Sequence, residues 1–139
     1  MRWAEQDEVP LSGRVYLVPP GCQLKIMTNG FAISALPPLS RSWLGCPDAL
    51  LRSAAACYGE GAVGIMLSGT LATGIAGLRA IRDSGGIIMA QNKSSSLYFD
   101  MPIGAIDQAK AELVLSPARI AEILILMTEQ MGTEARPDF

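Results

Sequence analysis

Ala62-Val63-Gly64-Ile65-Met66-Leu67-Ser68-Gly69-Thr70-Leu71-Ala72-Thr73-Gly74-Ile75-Ala76-Gly77-Leu78 is the stretch whose reading decides the fold. Residues 62–67 form an apolar run of strand length with no polar residue in alternation. Such a run reads as a strand buried on both faces, as in a parallel sheet. Ser68-Gly69 breaks it. Beyond the break, Ile75, Leu78 and Ile81 recur at helical spacing, which predicts a helix over residues 73–82.

The same alternation continues on both sides. Downstream, Gly85-Gly86 ends that helix and residues 87–90 are a second apolar strand. A helix started by Pro102 is expected over 102–110, a strand over 112–115, and a helix over 117–131. In the last helix Ile120, Ile123, Leu124, Met127 and Met131 make one stripe, read as core. Upstream, residues 47–58 read as a helix with Pro47 in its first turn, Asp48 complementing the dipole, and Leu51, Ala54, Ala55 and Tyr58 on one face. Two short runs, 24–28 and 31–35, flank Asn29-Gly30, the favoured pair for a type I′ hairpin turn. A short strand over 15–18 stops at Pro19-Pro20. The expected layout is an N-terminal loop over 1–13, one domain over 14–132, and a tail over 133–139. The expected fold class is α/β, doubly wound, with a mostly parallel sheet, helices on both faces and one antiparallel hairpin.

Composition narrows the function classes. The 139 residues are half hydrophobic and 17% charged, which suits one globular domain. A net charge of -2 with scattered Lys and Arg leaves no footprint for nucleic acid or an anionic membrane. No run approaches the roughly 20 apolar residues of a membrane span, and the N-terminus has no secretory h-region, so a cytoplasmic location is expected. Cys22, Cys46 and Cys57 lack disulfide or metal spacing and read as free thiols; no metal or cofactor is expected. The chain has no histidine, so it cannot build a Ser-His-Asp or Cys-His site from its own residues. Ser94-Ser95-Ser96 beside Lys93 reads as a solvated loop. The 69–74 segment at a helix start is a weak candidate for an anion cradle, and Gly74 and Gly77 read as close helix–sheet packing.

An ordered set of motifs resembles a known family. Gly13-Arg14-Val15-Tyr16-Leu17-Val18-Pro19, Pro37-Pro38, Pro47-Asp48 with Leu50-Leu51-Arg52-Ser53-Ala54-Ala55, the 62–78 stretch, Gly85-Gly86, Ala90-Gln91, Ser96, Met101-Pro102 and Ala105-Ile106 follow one another with little need for gaps. Together they resemble the catalytic domain of the CheB-type chemotaxis protein-glutamate methylesterase, its C-terminal part only. The resemblance implies a fold incomplete relative to the family domain. It also implies hydrolysis of methyl esters on receptor glutamates, in which a serine attacks, a histidine moves the proton and an aspartate orients the histidine. The family's serine and histidine lie upstream of the matching region. Its aspartate position is Thr73 here, and the residue whose backbone N–H helps hold the oxyanion is Thr70. The family's Met-Gly has become Thr70-Leu71, and two other family histidine positions are Gln23 and Trp43. The resulting expectation is a catalytically inactive interaction or regulatory remnant in chemosensory signalling. The alternatives are part of an active serine-type methylesterase whose serine and histidine lie on a missing upstream segment, or a decayed gene product. Expected partners are a chemoreceptor or other chemosensory protein, and a second copy through the open sheet edge.

Overall fold

A computed structural model describes residues 1–37, 47–70 and 73–134, with side chains as far as residue 130. In chain order the elements are β1 (Arg2–Trp3), β2 (Tyr16–Leu17), β3 (Cys22–Met27), β4 (Gly30–Ala35), α1 (Asp48–Tyr58), β5 (Val63–Met66), α2 (Ile75–Asp83), β6 (Ile87–Gln91), α3 (Asp100–Asp107), β7 (Leu113–Leu115) and α4 (Pro117–Glu134). Short 3-10 turns, Gly59–Gly61 and Lys93–Ser95, follow α1 and β6. No helix among the described residues is long and apolar enough to cross a membrane.

The principal sheet is parallel, in the order β5-β6-β7, with Val63 opposite Ile87 and Met89 opposite Leu113. Ile88 and Ala90 face a core shared with Leu78 and Ile81 of α2 and Ala105 of α3. Met89 points the other way by the two-residue strand period, yet is equally buried, and α4 packs against β6. Both faces of the central strand are therefore covered, as its unbroken apolar sequence requires. A second, smaller core of Ala4, Leu24 and Phe31 lies under the β3–β4 hairpin, and the Tyr16 ring meets Phe31 edge-on at 5.0 Å.

Helix α1 joins the two cores. Its Leu51 packs against the first and its neighbour Leu50 against the second. Gly77 of α2 lies so close to α1 that a Cβ there would stand 2.6 Å from the Leu51 Cβ and 3.0 Å from the Asp48 Cα. The Gly77 N–H is in the first turn of α2 and has no acceptor within its own helix. It donates to Asp48 Oδ1 at 2.7 Å, while the N-cap residue Gly74 has no side chain to offer. The carboxylate of α1 thus caps α2 and meets the positive end of its dipole.

Several expectations need correction. Residues 1–13 were expected as a polar loop, but β1 pairs in parallel with β2, and Asp7 and Glu8 exchange backbone hydrogen bonds with Phe31 at 2.8 and 2.9 Å. The hairpin forms, with Met27 opposite Gly30, so its turn is centred on Thr28-Asn29 and not on Asn29-Gly30. Asn29 does not take positive φ, as a type I′ turn needs, whereas Gly30 does, at 127°. Gly30 is required for a tertiary reason as well: a Cβ there would meet the Asp7 carbonyl oxygen at 2.7 Å. Gly77 serves helix–helix and not helix–sheet packing. The stripe of α4 is buried at Ile120 and only half-buried at Ile123, Leu124 and Met127. α3 begins at Asp100, which places Pro102 inside its first turn, and α4 extends to Glu134. Trp43, Cys46 and Leu71 lie outside the described residues.

Replacing Asp48 by Ala removes the partner of the Gly77 N–H and is expected to cost about 1–2 kcal/mol. The effect should appear as a lower urea midpoint at unchanged slope. Asp48→Asn keeps an acceptor oxygen and should lose less.

Candidate functional site

The loop leaving the carboxyl end of β5 is where open parallel sheets place their chemistry. Three attachments hold its backbone. The Ser68 N–H donates to the Gln91 Oε1 at 2.9 Å. The Ser68 hydroxyl donates to the Tyr98 carbonyl at 3.0 Å and accepts the Tyr98 N–H at 2.9 Å. The Gly69 N–H donates to the Tyr98 carbonyl at 3.0 Å, and the Gly69 carbonyl accepts from Met101 at 3.1 Å. Met101 lies directly against Gly69, where any Cβ would collide with its sulfur.

Gln91 is the buried polar side chain on which this arrangement turns, with only 6% of its surface exposed. It spends its oxygen on Ser68 and its Nε2 on the Ser95 carbonyl at 2.8 Å. Sequence reading had Gln91 only as a motif match. An amide ending an otherwise apolar strand must find partners when buried, and that was the available signal.

Thr70 stands exposed in this loop. Thr73 is half-buried and immediately precedes Gly74, the N-cap of α2, whose φ of 88° is the left-handed region. A Cβ at Gly74 would meet Pro47 Cγ at 2.7 Å and Met66 Cε at 2.9 Å, so β5, the start of α1 and the start of α2 converge beside Thr73. The anion-cradle reading of 69–74 meets a specific obstacle, because the first turn of α2 already binds the Asp48 carboxylate. Gln23 is on the hairpin, paired with Ser34. Ser95 and Ser96 use their hydroxyls on Asn92, the latter at 2.7 Å to its carbonyl, which makes them local turn-forming groups. A hollow of about 540 Å³ between the N-terminal segment, the hairpin and α1 is lined by Val9, Ile26, Met27, Ala56 and Cys57 among others, with no charged side chain and no residue of the loop. Among the described residues no three Cys, Asp or Glu side chains gather as a metal site would need.

Chemically, the described part of the loop presents the hydroxyls of Thr70 and Thr73, since the Ser68 hydroxyl and the Ser68 and Gly69 N–H groups are engaged by Gln91 and Tyr98. It carries no carboxylate at 73, and the sequence has no imidazole.

The parallel sheet covered on both faces and the clamped loop at its carboxyl end define a doubly wound α/β domain with a strand-end site. A family model described as CheB methylesterase matches residues 1–124, and the chain belongs to that family. It is 34% identical over 128 residues to "Protein-glutamate methylesterase/protein-glutamine glutaminase 3" of Paramagnetospirillum magneticum, covering 92% of this chain and 36% of that protein. It is 34% identical over 122 residues to "Protein-glutamate methylesterase FrzG" of Myxococcus xanthus, covering 88% and 36%. The chain thus spans about a third of the length of these curated relatives, although it covers 68% of a shorter, 32%-identical relative from Leptospira interrogans. The structure resembles the crystal structure of the Thermotoga maritima CheB methylesterase catalytic domain with a TM-score of 0.77 and 26% identity. That match covers 90% of this chain and 68% of that one.

Replacing Gln91 by Ala leaves the half-buried Ser68 N–H without its acceptor, at a cost toward the lower end of the about 1–3 kcal/mol of an orphaned buried donor. The expected result is a lower melting temperature together with faster amide exchange at Ser68 and Gly69. Unchanged exchange there would mean that the Ser68–Tyr98 bonds hold the loop alone.

Proposed function

We propose that this chain keeps the scaffold of a protein-glutamate methylesterase without the hydrolytic reaction, and serves as a non-catalytic interaction or regulatory domain in chemosensory signalling in the cytoplasm. A chemoreceptor or another chemosensory protein is its partner. The observation that supports the reading is the threonine at 73, which the motif resemblance sets at the family's acid position, in a sequence that has no histidine. Ester hydrolysis by a serine needs an imidazole to take the hydroxyl proton and return it to the leaving alcohol. It also needs a carboxylate to fix the tautomer and stabilise the imidazolium. A neutral threonine hydroxyl does neither job of the carboxylate. Losing that acid alone costs on the order of 10⁴ in rate.

One observation favours a second reading. The chain covers 68% of the solved methylesterase domain, which leaves room for a serine and a histidine on a segment outside this sequence. In that case Thr73 would slow the reaction and not abolish it.

The test is methanol release from a methylated chemoreceptor, with the Thermotoga maritima catalytic domain as the positive control. This chain is expected to release none above background. Release within tenfold of the control would overturn the proposal. A chain complemented with the missing serine and histidine, and accelerated by about 10⁴ through Thr73→Asp, would establish the second reading instead.

A further inference from the structure

The hollow beside α1 has walls that are pinned to one another. The Ile26 N–H of β3 donates to Ser53 Oγ of α1 at 2.8 Å, and the Cys57 thiol donates to the Ile26 carbonyl at 3.3 Å. Ser53 and Cys57 stand one helical turn apart, so a single face of α1 satisfies the outer edge of the hairpin at Ile26. The third wall, Val9 and Pro10, is fixed at both ends. Just before it, the Asp7 N–H donates to the Phe31 carbonyl at 2.8 Å, and the Phe31 N–H donates to the Glu8 carbonyl at 2.9 Å. Just after it, the Leu11 N–H donates to the Tyr16 hydroxyl at 3.0 Å. The space of about 540 Å³ is therefore set by bonds between its walls and not by loose packing.

We propose that this hollow is a binding site for an uncharged, mainly apolar small molecule that carries a hydroxyl or carbonyl group. Three observations select this class. First, the volume falls within the about 300–1,000 Å³ of small-molecule pockets, which are mostly apolar with a few polar groups to fix orientation. Val9, Pro10, Ile26, Met27 and Ala56 are the apolar wall here, and Val9, Met27 and Tyr58 are each about half exposed, so it is reachable from solvent. Second, no charged side chain lines the space, so an ionised group would lose its water there and gain no counter-charge. Third, the hydroxyls of Thr28 and Tyr58 line it as well, and neither has a hydrogen-bond partner among the described residues. Each can donate to or accept from a single polar group on the ligand. Walls already held in place need little ordering when the ligand enters, which favours binding.

The probe is 2-naphthol, two fused apolar rings with one hydroxyl, and the reporter is Cys57, whose residue lines the hollow. Labelling by iodoacetamide is followed at each cysteine by peptide mass. Saturating 2-naphthol should slow labelling of Cys57 at least tenfold and leave that of Cys22, at the far end of β3, unchanged. 2-Naphthoate, the same rings with a carboxylate, should bind at least tenfold more weakly. Ala56→Trp fills the hollow from an exposed position of α1; it should keep the melting temperature and lose 2-naphthol binding by calorimetry. Unprotected Cys57, equal slowing at Cys22, equal affinity for 2-naphthoate, or full binding by folded Ala56→Trp would each overturn the proposal. So would labelling of Cys57 that slows with protein concentration in the absence of probe, since a second copy would then cover the hollow. The two-cysteine and two-probe comparisons need no variant, and they decide the matter if Ala56→Trp does not fold.

Discussion

The contact between α1 and α2 sets the geometry of everything else. The hairpin rests on α1, α1 rests on α2, and α2 rests on the parallel sheet. At the middle joint the missing side chain of Gly77 lets two helices approach within the reach of a carboxylate, and Asp48 fills the vacancy at the start of α2. The hydrogen bond itself is worth about 1–2 kcal/mol, a minor share of the burial terms. Its value is positional. Total stabilities are about 5–15 kcal/mol, so a polar contact that fixes how two cores meet need not be large to matter. A side chain at 77 would wedge the helices apart and move the hairpin with them.

The same joint determines what the strand-end loop can be. Thr73 sits where β5, α1 and α2 converge. Gln91 and Tyr98 anchor one end of the loop, Met101 fills the space left by Gly69, and Gly74 makes the left-handed entry to α2. A threonine hydroxyl at 73 carries no negative charge that could stabilise an imidazolium.

Local periodicity made the elements from residue 62 onward legible in the sequence, because an unbroken apolar strand and a helical stripe are properties of neighbours along the chain. What sequence reading missed was long-range. Arg2 and Trp3 carry no strand signal; their strand exists because Leu17 and Val15 offer carbonyls to it. Asn29-Gly30 predicted the hairpin correctly but the wrong turn, since Gly30 answers to the Asp7 backbone and not only to the turn. Asp48 was read as a partner of its own helix dipole when its oxygen also serves the next helix. At the site, Thr73 and Thr70 were placed by motif alignment, whereas the role of Gln91 depends on a bond to Ser68, 23 residues away.

The composition of the core explains why the clamps persist. Five of the nine buried residues of the larger cluster, Ala55, Ala62, Ala90, Ala105 and Ala109, are alanines. They allow close approach but bury little area, so Met66, Leu78, Ile81 and Ile88 supply most of the hydrophobic stabilisation, at roughly 1.5–3 kcal/mol each. In a core that lean, polar contacts and close glycine packing carry a larger share of specificity. Asp48, Gly69, Gly74, Gly77 and Gln91, all within the motifs that resemble the family, each have a physical task in the fold.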